Sequence, residues 1–118
     1  MLATVEKPAV LTATSARSIA QQSRVVIDVT GFKPAQEGSV QAVVKAQKQD
    51  GSEQEIGRFG LFPQTEFKSD AAGAQRYSVP LPKELASSDL VKLKVELIPG
   101  PRGKGEGAQL QIGGAEIR

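Results

Sequence analysis

The sequence predicts an all-β protein, an antiparallel β-sandwich or barrel of the jelly-roll kind with about six to seven strands. Apolar and polar residues alternate at every second position in several short segments, which is the period of a strand and not of a helix. Turn-forming residues separate these segments at short intervals. No segment is long enough to supply the helices that parallel strands need for their crossovers.

The strand candidates are segments that alternate in this way or carry a run of β-branched residues. Segment 24–29 is such a run and suits a strand that is buried on both faces. Segments 39–47 and 91–98 alternate most regularly, so each should turn one apolar face to the core. In chain order the candidates are 10–14, 24–29, 39–47, 58–61, 77–81, 91–98 and 109–112.

Turn chemistry lies between the candidate strands. Asp50-Gly51 predicts a tight hairpin turn, because glycine tolerates a positive φ. Segment 82–89 is the one helical hint, since Pro82 suits a first helical position, and it predicts one to two turns. We expect residues 1–23 to be an N-terminal arm or linker with a possible first strand, and residues 24–118 to form the sandwich domain.

Composition excludes most catalytic chemistry. The chain has 118 residues and contains no His, no Cys and no Trp, so it has no disulfide, no Ser-His-Asp triad and no imidazole metal ligand. Its carboxylates are scattered along the chain, as expected for a solvated β surface. We therefore predict no enzyme activity, no catalytic residues, no metal site and no cofactor for this chain. A stand-alone enzyme that works with carboxylates remains a remote alternative.

Charge and aromatic content limit the partners. Lys and Arg number 15 against 13 Asp and Glu, and aromatic residues make up 4% of the chain. Nucleic-acid binding usually needs clustered positive charge with interleaved aromatic residues, so no nucleic-acid partner is predicted. No apolar run approaches the length of a membrane span. Sugar binding is disfavoured because the aromatic platforms for it are missing, and no small-molecule ligand is predicted.

A glycine-rich loop at 100–107 invites a phosphate-binding interpretation. A phosphate loop needs Gly-Lys followed by Ser or Thr at the start of a helix. Here Gly103-Lys104 is followed by Gly105 and then by a strand candidate. The sequence therefore favours a flexible hairpin loop.

Three of the four phenylalanines fall within nine positions, at Phe59, Phe62 and Phe67. Phe59 fits the inward face of a strand. Phe62 points the opposite way, directly before a proline that ends the strand. It either closes the far end of the core or lies exposed as a contact for another protein surface.

The order of five segments resembles the C-terminal domain of plant-type polyphenol oxidases and tyrosinases. That domain has a "VLVIEGI"-like strand, a KFDV strand, a "GSFVNVP"-like strand and a close of the form "VTLVPR…VTIGGIKIE". The KFDV tetrad falls on Gln41-Ala42-Val43-Val44, which keeps only its last residue. The similarity covers the chain from about Val10 to the C-terminus, and the five segments are 25–32, 39–47, 56–63, 91–99 and 110–117.

The resemblance implies a non-catalytic β-sandwich that follows a type-3 copper catalytic domain in the same protein. In that family the sandwich covers the entrance to the dicopper site and keeps the enzyme latent, often with one side chain plugging the substrate pocket. Copper is then expected only in the separate catalytic domain. Phe62 and Leu61 are the plug candidates, with Phe67 as a third, chosen for their apolar character and position. A bacterial relative would be secreted or periplasmic. The alternative is a generic β-sandwich module for protein interaction or structural support.

Overall fold

The computed structural model describes residues 2–15, 24–48, 51–60, 66–68, 75–82, 90–100 and 103–117. The predicted all-β antiparallel sandwich is confirmed, and the described residues contain no helix. Their nine strands are β1 (Leu2–Thr4), β2 (Ala9–Ser15), β3 (Arg24–Lys33), β4 (Val40–Gln47), β5 (Glu53–Gly60), β6 (Phe67–Lys68), β7 (Gln75–Pro80), β8 (Leu90–Pro99) and β9 (Gln109–Ile117).

The strands form two sheets of four positions each that pack as a sandwich. The first sheet has the order β5-β4-β8-β2. In the second sheet β1, β9 and β3 lie side by side, and β6 and β7 share the position beyond β3. Thr14 and Ser15 at the end of β2 also pair in parallel with β9, which joins the two sheets along one side.

The pairings are nested like one long hairpin that has been rolled up. β1 pairs with β9, β2 with β8, β3 with β7 and β4 with β5, each antiparallel. The additional pairs β3–β9 and β4–β8 close the roll into two sheets, which is the jelly-roll order. The number of strands exceeds the prediction because β1 and β6 have only 3 and 2 residues, too few for an alternating pattern.

The core lies between the two sheets and follows the predicted alternation. The apolar residues of β4 and β8 that share one face are all buried, and the same holds for the inward residues of β3 and β9. The core has one aromatic contact in the described residues, a stack of Phe59 on Tyr77. The largest fully buried core side chains are Ile27, Leu93, Leu110, Ile112 and Ile117.

The N-terminal stretch contributes two strands to the sandwich. β1 pairs with β9, and β2 pairs with β8 over 9–14, with Ala9, Leu11 and Ala13 buried. The possible first strand of the prediction is therefore present. Residues 16–23 lie outside the described residues, so the domain boundary at residue 23 stays a prediction. The helical hint at 83–89 also lies outside them.

The prediction of a hairpin loop at 100–107 was wrong. β8 belongs to the first sheet and β9 to the second, so this segment crosses between the sheets. Gly103, Gly105 and Gly107 all have positive φ. A Cβ on Gly105 would lie 2.6 Å from Cγ2 of Val5, so the crossing depends on glycine there. The Asp-Gly turn between β4 and β5 is confirmed, with Gly51 at φ 89°.

The pairing of β3 with β9, the two central strands of the second sheet, is irregular near Val29. The register between β3 and β9 shifts on both sides of Val29. A Cβ on Gly113 would lie 2.8 Å from Cγ2 of Thr30, so this glycine permits the close contact between the strands. Its neighbour Gly114 differs, because no heavy atom lies within 4 Å of the position its Cβ would take.

Candidate interaction surfaces

The predicted plug candidates fall at or near a gap in the described chain. Leu61 and Phe62 lie outside the described residues. The backbone of Phe67 belongs to β6, where it pairs with Phe32 of β3. The structure therefore places Phe67 along the second sheet and leaves the assignment of Leu61 and Phe62 a prediction.

Phe59 is a core residue and not part of a surface site. Its ring stacks on that of Tyr77 with centroids 4.3 Å apart, and only 9% of its surface is exposed. The hydroxyl of Tyr77 donates a hydrogen bond to Oε1 of Gln75 at 2.7 Å. Burial raises the pKa of Tyr77. The stack joins the edge strands β5 and β7, so the inward position predicted for Phe59 is confirmed.

Loops from both sheets meet at one end of the sandwich, here called the loop end (residues 5–8, 34–39 and 103–108). The amide of Gln36 donates to the carbonyl of Glu106 at 2.8 Å, and the amide of Gly100 donates to the carbonyl of Ser39 at 2.8 Å. An open cleft of about 490 Å³ lies between these loops. β5 also ends here, because Gly60 pairs with the second residue of β4. The connection that begins with Leu61 therefore starts at the loop end.

The outer face of the first sheet carries a set of ion pairs, here called the paired face. Three of its cations each meet a carboxylate from the same surface, and a fourth, Lys92, has no ion pair among the described residues. The hydrogen bond from Arg58 holds the pKa of Glu55 below its ordinary value, and the bond to Glu53 raises the pKa of Lys94. The pairs are Lys45–Glu96 at 3.2 Å, Arg58–Glu55 at 3.0 Å and Lys94–Glu53 at 2.9 Å.

Val43 lies beneath these ion pairs. It alternates with the core residues of β4, so it belongs to the outer face, yet 0% of its surface is exposed. Its neighbours across the strands are Arg58 on β5 and Glu96 on β8. Long charged side chains can cover apolar surface with their aliphatic stems while their charged groups stay in water. The paired face is therefore a packed outer layer of the sandwich.

The outer face of the second sheet carries an open cleft of about 280 Å³, here called the lysine cleft. Gly31 of β3 forms its floor and pairs with Gln111 on one side and Lys68 on the other. Lys33 lies two residues further along β3. The cleft is lined by Leu2, Gly31, Phe32, Lys33, Glu66, Lys68, Gln109 and Gln111.

The lysine cleft differs from the paired face in its charge balance. Lys33 and Lys68 are exposed, and neither forms an ion pair with another residue that the structure describes. Leu2 beside them is 49% exposed. Sequence reasoning missed this site because its members come from four strands, β1, β3, β6 and β9, whose adjacency no local pattern reveals.

Within the described ranges no group of three or more His, Cys, Asp or Glu side chains could hold a metal ion. The chain contains no His, so it has none of the imidazole ligands of a type-3 copper pair. No described helix is long and apolar enough to cross a membrane.

Fold and surfaces together define an all-β sandwich with jelly-roll strand order, a loop end and the lysine cleft. The chain matches no model of a known protein family, and a search of curated proteins finds no match.

Proposed function

We propose that this chain is the non-catalytic shielding domain of a tyrosinase-like type-3 copper oxidase, covering the entrance to the dicopper site and keeping the enzyme latent. The proposal is supported by the way the five segments of the resemblance fit the fold. The described parts of these segments overlap β3, β4, β5, β8 and β9, which are neighbours in the two sheets, while residues 61–63 of the third segment lie outside the described residues. A resemblance carried by strands that pair with each other is more specific than one carried by unrelated segments.

The loop end is the part of the domain that the proposal assigns to the catalytic domain. The connection that carries Leu61 and Phe62 leaves β5 there, at Gly60. An apolar side chain from this connection would occupy the position of a phenol ring and block the pocket by its bulk. A covalently attached lid acts at a high effective concentration, so weak contacts are sufficient to keep it closed.

The chain has no role in the oxidation itself under this proposal. Copper would be held by histidines of the catalytic domain, because this chain has none to offer. We expect that the same reading frame encodes a histidine-rich copper domain upstream of this chain. A reading frame that encodes something else contradicts it.

Phenol oxidation provides the functional test. The rate of the copper domain should fall when this chain is fused to it, and it should recover when the fused chain is removed by proteolysis. Substitution Phe62→Ala should raise the rate of the fused protein several-fold, because the plug is shortened. Thr12→Ala, at an exposed position on β2, is the matched control and should leave the rate unchanged. Equal rates with and without this chain would overturn the proposal.

The alternative is a protein-interaction module without a copper partner. The exposed lysines of the lysine cleft favour it, because they have no ion pair among the described residues and their charge can attract an acidic surface. Binding of this chain to a protein other than a copper oxidase would support the alternative.

A further inference from the structure

The lysine cleft has a shape that can accommodate an extended polypeptide segment. Its floor is Gly31, a residue without a side chain, between Lys68 on one side and Gln111 on the other. Adjacent strands lie about 4.8 Å apart, so the backbones of β6 and β9 stand roughly 10 Å apart across this floor. An extended segment fits between side chains that rise from such strands.

The charge of the cleft selects the kind of segment. Lys33 and Lys68 rise from the floor and its edge, and Glu66 is the only carboxylate in the lining. The two ammonium groups have no carboxylate partner among the described residues, in contrast to Lys45, Arg58 and Lys94 of the paired face. Complementary charge across an interface favours encounter and fixes orientation. An acidic occupant supplies the partners that the cleft lacks.

The remaining lining suits a polypeptide. The side-chain amides of Gln109 and Gln111 each offer donors and an acceptor, which match the backbone groups of an extended segment. Leu2 is 49% exposed at the side of the cleft and offers an apolar contact. A nucleic acid is disfavoured, because the exposed side chains among the described lining residues include no ring for base stacking and only two cations for phosphates.

The cleft is also continuous with the surface assigned to the catalytic domain. Lys68 follows shortly after Leu61 and Phe62 in the chain. Lys33 is the last residue of β3 and precedes the 34–39 loop of the loop end. A partner bound at the loop end can therefore contact the lysine cleft as well.

We infer that the lysine cleft binds an acidic, extended polypeptide segment of the catalytic domain, gripped by Lys33 and Lys68 above the floor of Gly31. The inference rests on the proposed function for the identity of the partner, and on the cleft itself for its chemistry. The contact holds the sandwich in register over the copper domain, while the segment with Leu61 and Phe62 provides the block.

The chemistry of the cleft is tested with the complete 118-residue chain and a glutamate-rich decapeptide as the probe. Backbone amide shifts in NMR titrations should move in a saturable way at Gly31, Lys33, Lys68 and Gln111. The double variant Lys33→Gln/Lys68→Gln should bind the peptide about tenfold more weakly, and raising the salt from about 50 to 300 mM should weaken binding to the unchanged chain.

The matched control is Lys45→Gln/Lys92→Gln, which removes the same charge from the outer face of the first sheet. It should leave peptide affinity unchanged. The inference is overturned if both double variants weaken binding equally, if the shifts centre on β4 and β8, or if the peptide does not bind. It is also overturned if anionic vesicles or single-stranded DNA move the same amides at lower concentration than the peptide.

A second measurement separates this inference from the proposed function. The latency of the copper fusion protein is compared between the two double variants. Higher activity in Lys33→Gln/Lys68→Gln alone supports the inference. Retained latency in that variant contradicts the inference and leaves the shielding role standing. Peptide binding at the cleft without any effect of the chain on the copper domain contradicts the shielding role and leaves the chemistry of the cleft standing.

Discussion

The outer faces of the two sheets differ in how their charged side chains are paired and how their apolar side chains are buried. On the paired face, three cations are matched by three carboxylates, Lys92 has no ion pair among the described residues, and Val43 is completely buried. On the face that bears the lysine cleft, two lysines lack a described partner and a leucine is about half exposed. Most charges of the first face are paired there, whereas the second face has one ion pair, Arg76–Asp28, outside the cleft and, at the cleft, two lysines without an ion pair among the described residues.

This difference indicates that the lysine cleft is the surface to test for a binding function. Surface ion pairs contribute little to stability one by one, but a surface whose charges are internally satisfied has little left to offer a partner. The paired face also lies over the sheet whose edge strand, β5, has a bulge at Ile56 and charged residues on both sides of it. Such features discourage pairing with another chain.

The largest expected effect concerns Val43. Substitution Val43→Ala should lower the free energy of unfolding by about 2 kcal/mol, because two buried methyl groups are lost and a cavity remains. The matched change Val26→Ala, on the outer face of the second sheet, should cost less than about 1 kcal/mol because Val26 is only half-buried. Urea denaturation of both variants measures the difference. Equal losses would show that the paired face is no better packed than the other.

The next largest expected effect on stability concerns the adjacent residues Gly113 and Gly114. Gly113→Ala should destabilise the fold by roughly 1 to 2 kcal/mol, because its Cβ would collide with the β-branched Thr30. Gly114→Ala should be neutral or stabilise by up to about 1 kcal/mol, since its Cβ enters open space and the unfolded chain loses freedom. Thermal and urea denaturation of the two variants check this order. A greater loss at Gly114 would contradict the described packing of β9 on β3.

The smallest effect is the response of the paired face to acid. Because Arg58 lowers the pKa of Glu55, the folded state is favoured by the charged carboxylate. This contribution is present above the ordinary pKa of 4.5 and is lost as the pH falls through the lowered value in the folded protein. Glu55→Gln should therefore be less stable than the unchanged chain at neutral pH and equally stable in acid. The variant Arg58→Gln should show the same convergence, and parallel pH profiles would contradict the pairing.

The core could be predicted from the sequence because it depends on a local pattern. Val40, Ala42, Val44 and Ala46 recur at every second position of β4, and all four are buried. The turn at Gly51 was also predictable, because a positive φ at an Asp-Gly pair is a local property. These features depend on one strand or one turn at a time.

The surfaces could not be predicted because they depend on which strands become neighbours. Val43 has Arg58 of β5 and Glu96 of β8 as its cross-strand neighbours, and the alternation of β4 alone places it on the outer face with Gln41 and Lys45. Lys33 and Lys68 share a cleft only because β6 pairs with the end of β3. The crossing between β8 and β9 was missed for the same reason, since a glycine-rich loop fits a hairpin and a crossover equally well.

The most direct test of the difference between the faces is the reactivity of their lysines toward an amine-acetylating reagent. It is measured by mass spectrometry on this chain alone and on the chain fused to the copper domain that the proposed function requires. Lys33 and Lys68 should react several-fold more slowly in the joined protein, while Lys92 on the outer face of the first sheet should react equally in both. Protection of Lys92 with unchanged reactivity at Lys33 and Lys68 would contradict the account.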